Sequence, residues 1–240
     1  MMNCKKEKAL WTGGWRKVFR QYWTSLKSYI LSPVKKKYSE ATKKYFSSIY
    51  TNQRIDDLIF DGNENTYLEK ARLFLDKNIY YDVIYDCGCG KASFLNFLKT
   101  LPISFGKYIG IDFAIQSQKK SNNIELINCD VVSYDYDVQS KKVLLVLCNV
   151  MCYMSNKDLD LLLKKLKGSH ISVLVVDPIP GLFWDATFDN VKLYYRTIKK
   201  NNELMQKYGF SSNIIVKDYL LQVGPCYLIA LSYATMYEIQ

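Results

Sequence analysis

The chain has 240 residues, of which 49% are hydrophobic and 23% are charged. This length supports one domain with a full core, and the composition is that of a globular protein, which excludes wholesale disorder. The longest apolar run, 143–154, is interrupted by Asn149 and is shorter than the ~18 residues that a membrane-spanning helix needs. The first residues lack the apolar segment of a secretory signal, and we therefore expect a cytoplasmic protein.

The net charge of +10 comes entirely from one end of the sequence. Residues 1–50 hold 12 Lys/Arg and two Asp/Glu, whereas the other 190 residues hold 21 of each. Three of the four tryptophans lie in the same segment. We therefore predict a basic, aromatic, helical extension or cap at 1–62, followed by the main domain at 63–240.

Helical spacing of apolar residues marks three segments before residue 78. The first runs from Trp15 to Ile30, and Pro33 separates it from a second lysine-rich helix at 34–49. A third helix begins at the capping-box spacing of Thr66 and Glu69.

After residue 78, short apolar runs alternate with helix-length connections. The predicted strands are 81–86, 107–111, 124–129, 142–148 and 171–177. The predicted helices are about 91–99, 115–121, 157–167 and a last one that ends near Tyr208. This alternation predicts an α/β fold, in which a doubly wound parallel sheet is covered by helices on both faces. Two further apolar runs flank a short Val-Gly-Pro link at 223–225, so we expect them to pair antiparallel.

The first predicted strand ends in an acid and a glycine-rich turn, Asp86-Cys87-Gly88-Cys89-Gly90. Ligands of open parallel sheets bind beyond the carboxyl ends of the strands, and glycine allows the main chain to approach them closely. The dinucleotide pattern G-x-G-x-x-G is met only weakly, because Ser93 stands at its last position. An acid ahead of the glycines would repel a pyrophosphate and suits a cationic group, such as an α-amino group.

The seven cysteines are scattered and mostly lie in apolar runs, which indicates reduced thiols. Two pairs, Cys87 with Cys89 and Cys148 with Cys152, resemble metal-ligand spacing, but His170 is the only histidine. We therefore expect no metal and interpret these cysteines as small residues in tight places.

The glycine turn resembles motif I of the class I S-adenosylmethionine (SAM)-dependent methyltransferases, with Ala92 at the usual third glycine. Segments 108–121, 124–132 and 144–154 resemble the motifs of that family's second, third and fourth strands. Segment 204–216 resembles its aromatic-Gly-Phe turn before the final antiparallel pair. The resemblance covers roughly residues 66–240 and implies a seven-stranded sheet of order 3-2-1-4-5-7-6, with strand 7 antiparallel, and SAM as the cofactor.

The resemblance also implies roles for single residues. Asp112 would accept hydrogen bonds from both ribose hydroxyls, and Phe113 would border the adenine. Asp130 would lie near the adenine amino group, Val131 would offer its amide to the ring, and Asn149 would lie beside the reactive methyl group. The implied cofactor-binding residues are Asp86, Cys87, Gly88, Cys89, Gly90, Asp112, Phe113, Asp130, Val131 and Asn149.

Methyl transfer from a sulfonium requires mainly alignment and the removal of water. The sequence identifies no catalytic base. His170 is predicted at the start of the fifth strand, on the edge away from the cofactor. Tyr153 and Asp185 are the candidates for contact with the acceptor, because their predicted positions lie nearer the correct edge.

The aromatic segment 178–195 admits two interpretations. It is either a lid that packs on the core or a wall for an aromatic or apolar acceptor. On the second interpretation, Trp184 and Tyr195 are the candidate substrate contacts.

Three function classes stay open, and the favoured one is transfer of a methyl group to an oxygen or nitrogen of a small, aromatic or apolar metabolite. The alternative is an RNA or protein methyltransferase that docks its substrate through the basic N-terminal segment. A domain of the same fold without enzymatic activity is the third. Residues 11–50 also fit an amphipathic helix on an anionic membrane. The fourth-strand motif at 149–152 lacks the prolines of nucleic-acid base methylators, which disfavours that reaction.

Overall fold

The computed structural model describes residues 71–75, 78–115, 119–166, 170–179, 187–188, 191–192, 194, 196–212, 214–220 and 230–239. The predicted extension at 1–62 lies outside the described residues, and so do the candidate acceptor contacts Trp184, Asp185 and Tyr195. The domain boundary near residue 62 therefore stays a prediction.

In the described part of the chain, nine strands form one sheet and two short strands form a separate pair. The nine are β1 (Ile79–Cys87), β2 (Ile103–Ile111), β3 (Lys119–Ser121), β4 (Ile124–Ile127), β5 (Val143–Cys148), β6 (Ile171–Ile179), β9 (Phe210–Ser211), β10 (Ile215–Leu220) and β11 (Ala230–Ile239). The pair consists of β7 (Thr187–Phe188) and β8 (Val191–Lys192). Residues 71–75 are helical, and the helices are α1 (Ser93–Leu98), the 3-10 helix Met151–Tyr153, α2 (Asn156–Lys165) and α3 (Ile198–Gln206).

The order of strands along the sheet is β10-β11-β6-β5-β1-β2-β4-β3, and β9 pairs with β11. Strands β4, β2, β1, β5 and β6 are parallel to one another, whereas β11 runs antiparallel to both β6 and β10. Without the short strands β3 and β9, this is the predicted order 3-2-1-4-5-7-6 with strand 7 antiparallel. The predicted fold class is confirmed.

The sheet has an apolar core on each face, which explains the uninterrupted apolar runs of its central strands. Every residue of 143–147 in β5 is fully buried, since successive side chains enter opposite cores. One core includes Leu159 and Leu163 of α2 with Met205 of α3. The other includes Phe94 and Leu98 of α1. Because these central strands run parallel, the loops that follow them lie at the same edge of the sheet.

The predicted helix at 115–121 is wrong for its last part. Residues 119–121 form β3, which turns back through Asn122 and Asn123 and pairs antiparallel with β4. Asparagine favours turns, which explains the reversal of the chain. Glu125 of β4 forms ion pairs with Lys107 of β2 (2.7 Å) and Lys120 of β3 (3.9 Å), so it links β4 to both neighbouring strands. This seven-residue segment contains one apolar residue, Ile115, so its sequence pattern was too weak to distinguish a helix from an edge hairpin.

Among the described residues, no helix has both the length and the apolar character needed to cross a membrane.

Candidate functional site

The glycine turn after β1 adopts three left-handed residues in alternation: Gly88 (φ 72°), Gly90 (φ 50°) and Ala92 (φ 62°). The amide of Gly88 donates to the carbonyl of Ile111 at 2.7 Å, which folds the turn over the end of β2. A Cβ atom on Gly88 would lie 2.4 Å from Cγ2 of Val150. Glycine is thus required at position 88 both by its φ angle and by the loop after β5.

The two cysteines of the turn are buried packing residues. A Cβ atom on Gly110 of β2 would lie 2.8 Å from Sγ of Cys89, so the Cys89 side chain covers that glycine. Cys87 lies 3.3 Å from the hydroxyl oxygen of Tyr136. Burial raises the pKa of both thiols, which keeps them protonated and poor as nucleophiles or metal ligands. Among the described residues, no cluster of three or more His, Cys, Asp or Glu side chains is arranged to hold a metal ion.

Asp86 lies inside the sheet, just ahead of the turn. It is 2% exposed, and the hydroxyl of Tyr108 on β2 donates to its Oδ2. Burial, with a smaller contribution from the charge of Asp112, raises the pKa of Asp86 to about 7. A cation placed beside this carboxylate would favour its ionised form and would itself be stabilised.

Asp112 follows β2 and fastens the glycine turn. Its Oδ2 accepts a hydrogen bond from the amide of Gly90 at 3.0 Å, and its Oδ1 accepts one from the amide of Ala114 at 2.8 Å. The Asp112 amide donates to the carbonyl of Ile127 at 3.1 Å, which links it to the end of β4. Asp112 therefore joins the ends of three neighbouring strands, with the half-buried Phe113 next to it.

Asp130 caps the turn that follows β4. Its Oδ1 accepts hydrogen bonds from the amides of Val132 (2.8 Å) and Ser133 (3.1 Å). The next residue, Val131, is buried, and its carbonyl accepts a hydrogen bond from the Tyr136 hydroxyl at 2.8 Å. The structure thus places Asp86, Asp112 and Asp130 at the carboxyl ends of adjacent strands, as the sequence predicted.

Asn149 stands at the end of β5 in a left-handed conformation (φ 56°). Its amide donates to the carbonyl of Val176 at 2.7 Å, and its Oδ1 accepts from the Cys152 thiol at 3.6 Å. A left-handed asparagine costs conformational energy and is enriched at functional sites. Through Val150, this loop contacts Gly88, so Asn149 and the glycine turn lie at one edge of the sheet.

Tyr153, a candidate for contact with the acceptor, and His170, which the sequence places away from the cofactor, lie at opposite edges of the sheet. Tyr153 belongs to the 3-10 helix after β5 and is half-buried at the carboxyl edge. His170 is exposed immediately before β6, and its carbonyl accepts a hydrogen bond from the amide of Val143 at the amino end of β5. The expected placement of His170 away from the glycine turn is confirmed.

Asp177 is a residue of this edge that sequence reasoning missed. It lies in β6 and is 3% exposed, and its Oδ1 is buried without a hydrogen-bond partner among the described residues. Burial raises the pKa of Asp177 to about 8, although polar groups of Cys152 and Val150 and the charge of Arg196 oppose this rise. An acid directly after the apolar run 171–176 was the available signal.

Arg196 is the second residue that was missed. Its guanidinium is buried and binds the segment around the 3-10 helix. Nε donates to Asn156 Oδ1 at 2.7 Å. Nη1 donates to the carbonyls of Met151 (2.9 Å) and Tyr194 (3.2 Å), and Nη2 donates to the carbonyl of Met154. The hydrogen bonds from the positively charged Arg196 guanidinium to main-chain carbonyls thus hold the loop that carries Tyr153 in place.

No family model matches the sequence, and no curated protein sequence matches it either. Solved structures do match the fold. The 1,6-didemethyltoxoflavin N1-methyltransferase of Burkholderia thailandensis, solved with 1,6-didemethyltoxoflavin and S-adenosylhomocysteine, has a TM-score of 0.63 at 12% identity and covers 87% of this chain and 93% of its own. The N-methyltransferase NodS of Bradyrhizobium japonicum WM9, solved with S-adenosylhomocysteine, has a TM-score of 0.55 at 14% identity and covers 82% and 98%. The chain has the class I SAM-dependent methyltransferase fold.

This methyltransferase fold is also shared with the small RNA methyltransferase HEN1, at a TM-score of 0.53 and 14% identity, over 73% of this chain and 25% of the HEN1 chain. Similar structures thus include proteins named for small-molecule and for RNA substrates. The fold alone therefore does not select the acceptor.

Proposed function

We propose that this protein is a SAM-dependent methyltransferase that methylates an oxygen or nitrogen of a small, aromatic or apolar metabolite. The observation that carries the proposal is the Asp112 carboxylate, which binds the amides of Gly90 and Ala114 and so ties the glycine turn to the end of β2. This arrangement lies on a fold shared with methyltransferases solved with S-adenosylhomocysteine.

The residues present fit the cofactor chemically. The Asp112 carboxylate accepts hydrogen bonds from two main-chain amides, and a carboxylate is also the type of acceptor that ribose hydroxyls require. Asp86 is a buried carboxylate whose ionised form a cationic amino group would stabilise. Phe113, Asp130 and Val131 would hold the adenine ring.

Bound SAM supplies an electrophilic methyl group, so the protein has to align the acceptor and exclude water. Asn149 and Tyr153 would face the acceptor, since both follow β5 at the carboxyl edge. The aromatic segment 178–195, with Trp184 and Tyr195, would form the acceptor wall, and Asp185 is a further candidate contact. Asp185 as a carboxylate, or Tyr153 as a phenolate, would accept the proton that leaves the nucleophile.

Calorimetric titration of the full chain with S-adenosylhomocysteine tests the cofactor site. We expect binding with one site per chain, and at least about tenfold weaker binding by Asp112→Asn, because a charge-assisted acceptor is lost. Asp135→Asn, at an exposed carboxylate, is the matched control and should bind as the wild type does. A folded wild-type protein that binds no S-adenosylhomocysteine would refute the proposal.

RNA or protein is the second candidate acceptor, and the charge of the N-terminal 50 residues favours it. Retention on heparin, and binding to transfer RNA, should then fall steeply with salt, because phosphate contacts release counterions. Weak retention that salt hardly affects would leave the small-metabolite acceptor. Production of S-adenosylhomocysteine in the presence of hydroxylated or amino-substituted heteroaromatic compounds tests that acceptor directly.

A further inference from the structure

A buried hydroxyl connects two segments of the proposed cofactor site. The Tyr136 oxygen lies 3.3 Å from Sγ of Cys87 and 2.8 Å from the carbonyl oxygen of Val131. Cys87 is the last residue of β1 and precedes the glycine turn, whereas Val131 follows Asp130 in the turn after β4. All three residues of this contact are buried, with exposed fractions of 8% or less.

The chemistry of the three groups fixes the direction of the hydrogen bonds. A carbonyl oxygen can only accept, so the single proton of Tyr136 is donated to Val131. Burial raises the pKa of the Cys87 thiol and of the Tyr136 phenol, so both keep their protons. The thiol therefore donates to the phenol oxygen, and the chain runs from Cys87 through Tyr136 to Val131. Each bond in such a chain polarises the next.

This chain fixes one peptide plane of the turn at both of its polar atoms. The carbonyl of Val131 and the amide of Val132 belong to the same peptide group. Tyr136 holds the carbonyl, and Asp130 Oδ1 holds the amide at 2.8 Å. The amide of Val131 belongs to the preceding peptide group. Because the following peptide plane is held at both polar atoms, the Val131 amide can change direction only by rotation about the two main-chain bonds at the Val131 Cα atom.

We infer that Tyr136 is a positioning residue for adenine recognition, and that the Cys87 thiol strengthens its effect. The inference rests on the proposed function, since Asp130 and Val131 are the residues that would contact the adenine amino group and ring. It assigns Cys87 a role beyond small size: its thiol orients the base-binding turn. It also predicts selectivity for adenine over hypoxanthine.

The surroundings make Tyr136→Phe a clean test. The rings of Tyr85 and Tyr134 pack edge-on against Tyr136, with centroids 5.1 Å away in both cases. The Tyr85 hydroxyl separately accepts a hydrogen bond from the amide of Asp137 at 3.1 Å. Phenylalanine keeps these ring contacts and removes only the hydroxyl, which leaves the buried Val131 carbonyl without its donor.

The experiment compares the dissociation constants of S-adenosylhomocysteine and S-inosylhomocysteine by calorimetry. We expect the wild type to prefer the adenine compound, and Tyr136→Phe to reduce this preference about fivefold or more, as the loss of one hydrogen bond predicts. Tyr134→Phe is the control and should leave the preference within about twofold of the wild type. Cys87→Ser should retain the preference, and Cys87→Ala should reduce it, which provides a second variant if Tyr136→Phe does not fold.

The outcomes are distinguishable. If the wild type binds neither compound, the proposed function fails. If the wild type binds both equally, or if Tyr136→Phe and Cys87→Ala weaken both compounds in the same proportion, Tyr136 is merely structural and the inference is overturned.

Discussion

The carboxyl edge of the sheet has two unlike ends. At the end formed by β1, β2 and β4, the carboxylates of Asp112 and Asp130 accept hydrogen bonds from main-chain amides. At the end formed by β5 and β6, the buried Asp177 has an oxygen without a partner in the described part of the chain. There Arg196 donates instead to main-chain carbonyls.

This difference indicates that the polar side chains at the two ends are held in place in two different ways. At the first end, main-chain amides hold Asp112 and Asp130, so these two acids serve as fixed acceptors before any ligand arrives. The second end combines a buried acid and a buried cation, which are costly to bury and respond strongly to changes in charge. Removal of the Asp177 carboxylate should therefore change how the stability of the protein depends on pH.

The largest effect on stability is expected for Arg196→Met. It removes the buried Arg196 donor from the carbonyls of Met151 and Met154, and it removes a positive charge that favours the ionised form of Asp177, at a cost of about 3 kcal/mol or more in the free energy of unfolding. Arg72→Met is the control, because Arg72 makes a surface hydrogen bond to Thr100, and it should cost less than about 1 kcal/mol. Urea unfolding measures both, and equal losses would contradict the role given to Arg196.

Gly88→Ala should have the next largest effect. An alanine in the left-handed region costs about 1–2 kcal/mol, and its Cβ would also meet Val150. Gly209 (φ 84°) is a matched control, because no atom lies within 4 Å of a Cβ built there. We expect Gly88→Ala to lose about 2 kcal/mol more than Gly209→Ala, and Val150→Ala to restore part of this difference. If the two glycine variants unfold at the same urea concentration, the contact between the loops is unimportant.

Asp177→Asn tests the second end through pH. Burial raises the folded-state pKa of Asp177 to about 8 from its ordinary 3.8, so the folded protein binds a proton that the unfolded chain releases between these values. Wild-type stability should therefore fall as pH rises through this range, by up to about 1.4 kcal/mol per pH unit, and Asp177→Asn should lack this contribution. The advantage of the variant over the wild type should be larger at pH 8 than at pH 5.

Asp160 provides the contrasting control. Hydrogen bonds from Lys207 and Tyr208 lower its pKa, so its contribution to stability is lost only as pH falls through acidic values. The difference between Asp160→Asn and the wild type should be the same at pH 5 and pH 8. A parallel pH trend in both variants would show that Asp177 is not the source.

The smallest effect is expected for Ala92→Gly at the first end. Glycine would relieve the left-handed strain at φ 62°, but it would remove a buried methyl group and add freedom to the unfolded chain. These contributions are similar in size, so the free energy of unfolding should change by less than about 0.5 kcal/mol. A change above about 1 kcal/mol in either direction would show that one contribution dominates.

The sheet was predictable because its strands are buried on both faces and therefore read as continuous apolar runs, as in 143–148. The helix predicted at 115–121 was wrong in its last residues because that polar segment carries little helical periodicity, whereas Asn122 and Asn123 favour a turn. The helical cap predicted at 1–62 stays a prediction.

The candidate site also contains residues that the sequence predicted and residues that it did not. The positions of Asp86, Asp112 and Asp130 at strand ends were predictable, because an acid that follows an apolar run can be recognised in the sequence alone. The role of Tyr136 depends on a contact with Cys87, 49 residues away, and no local pattern marks it. Arg196 binds Met151 across 45 residues and was missed for the same reason.

The position of β11 in the sheet affects the order in which the strands can pair during synthesis on the ribosome. β11 follows all other described strands in the sequence, yet it lies inside the sheet between β6 and β10. During synthesis, the edge of β6 has no described partner on that side until β11 leaves the ribosome, and β10 cannot join the sheet earlier. An unpaired edge invites pairing with other chains, so the nascent protein should depend on chaperones until this strand is inserted.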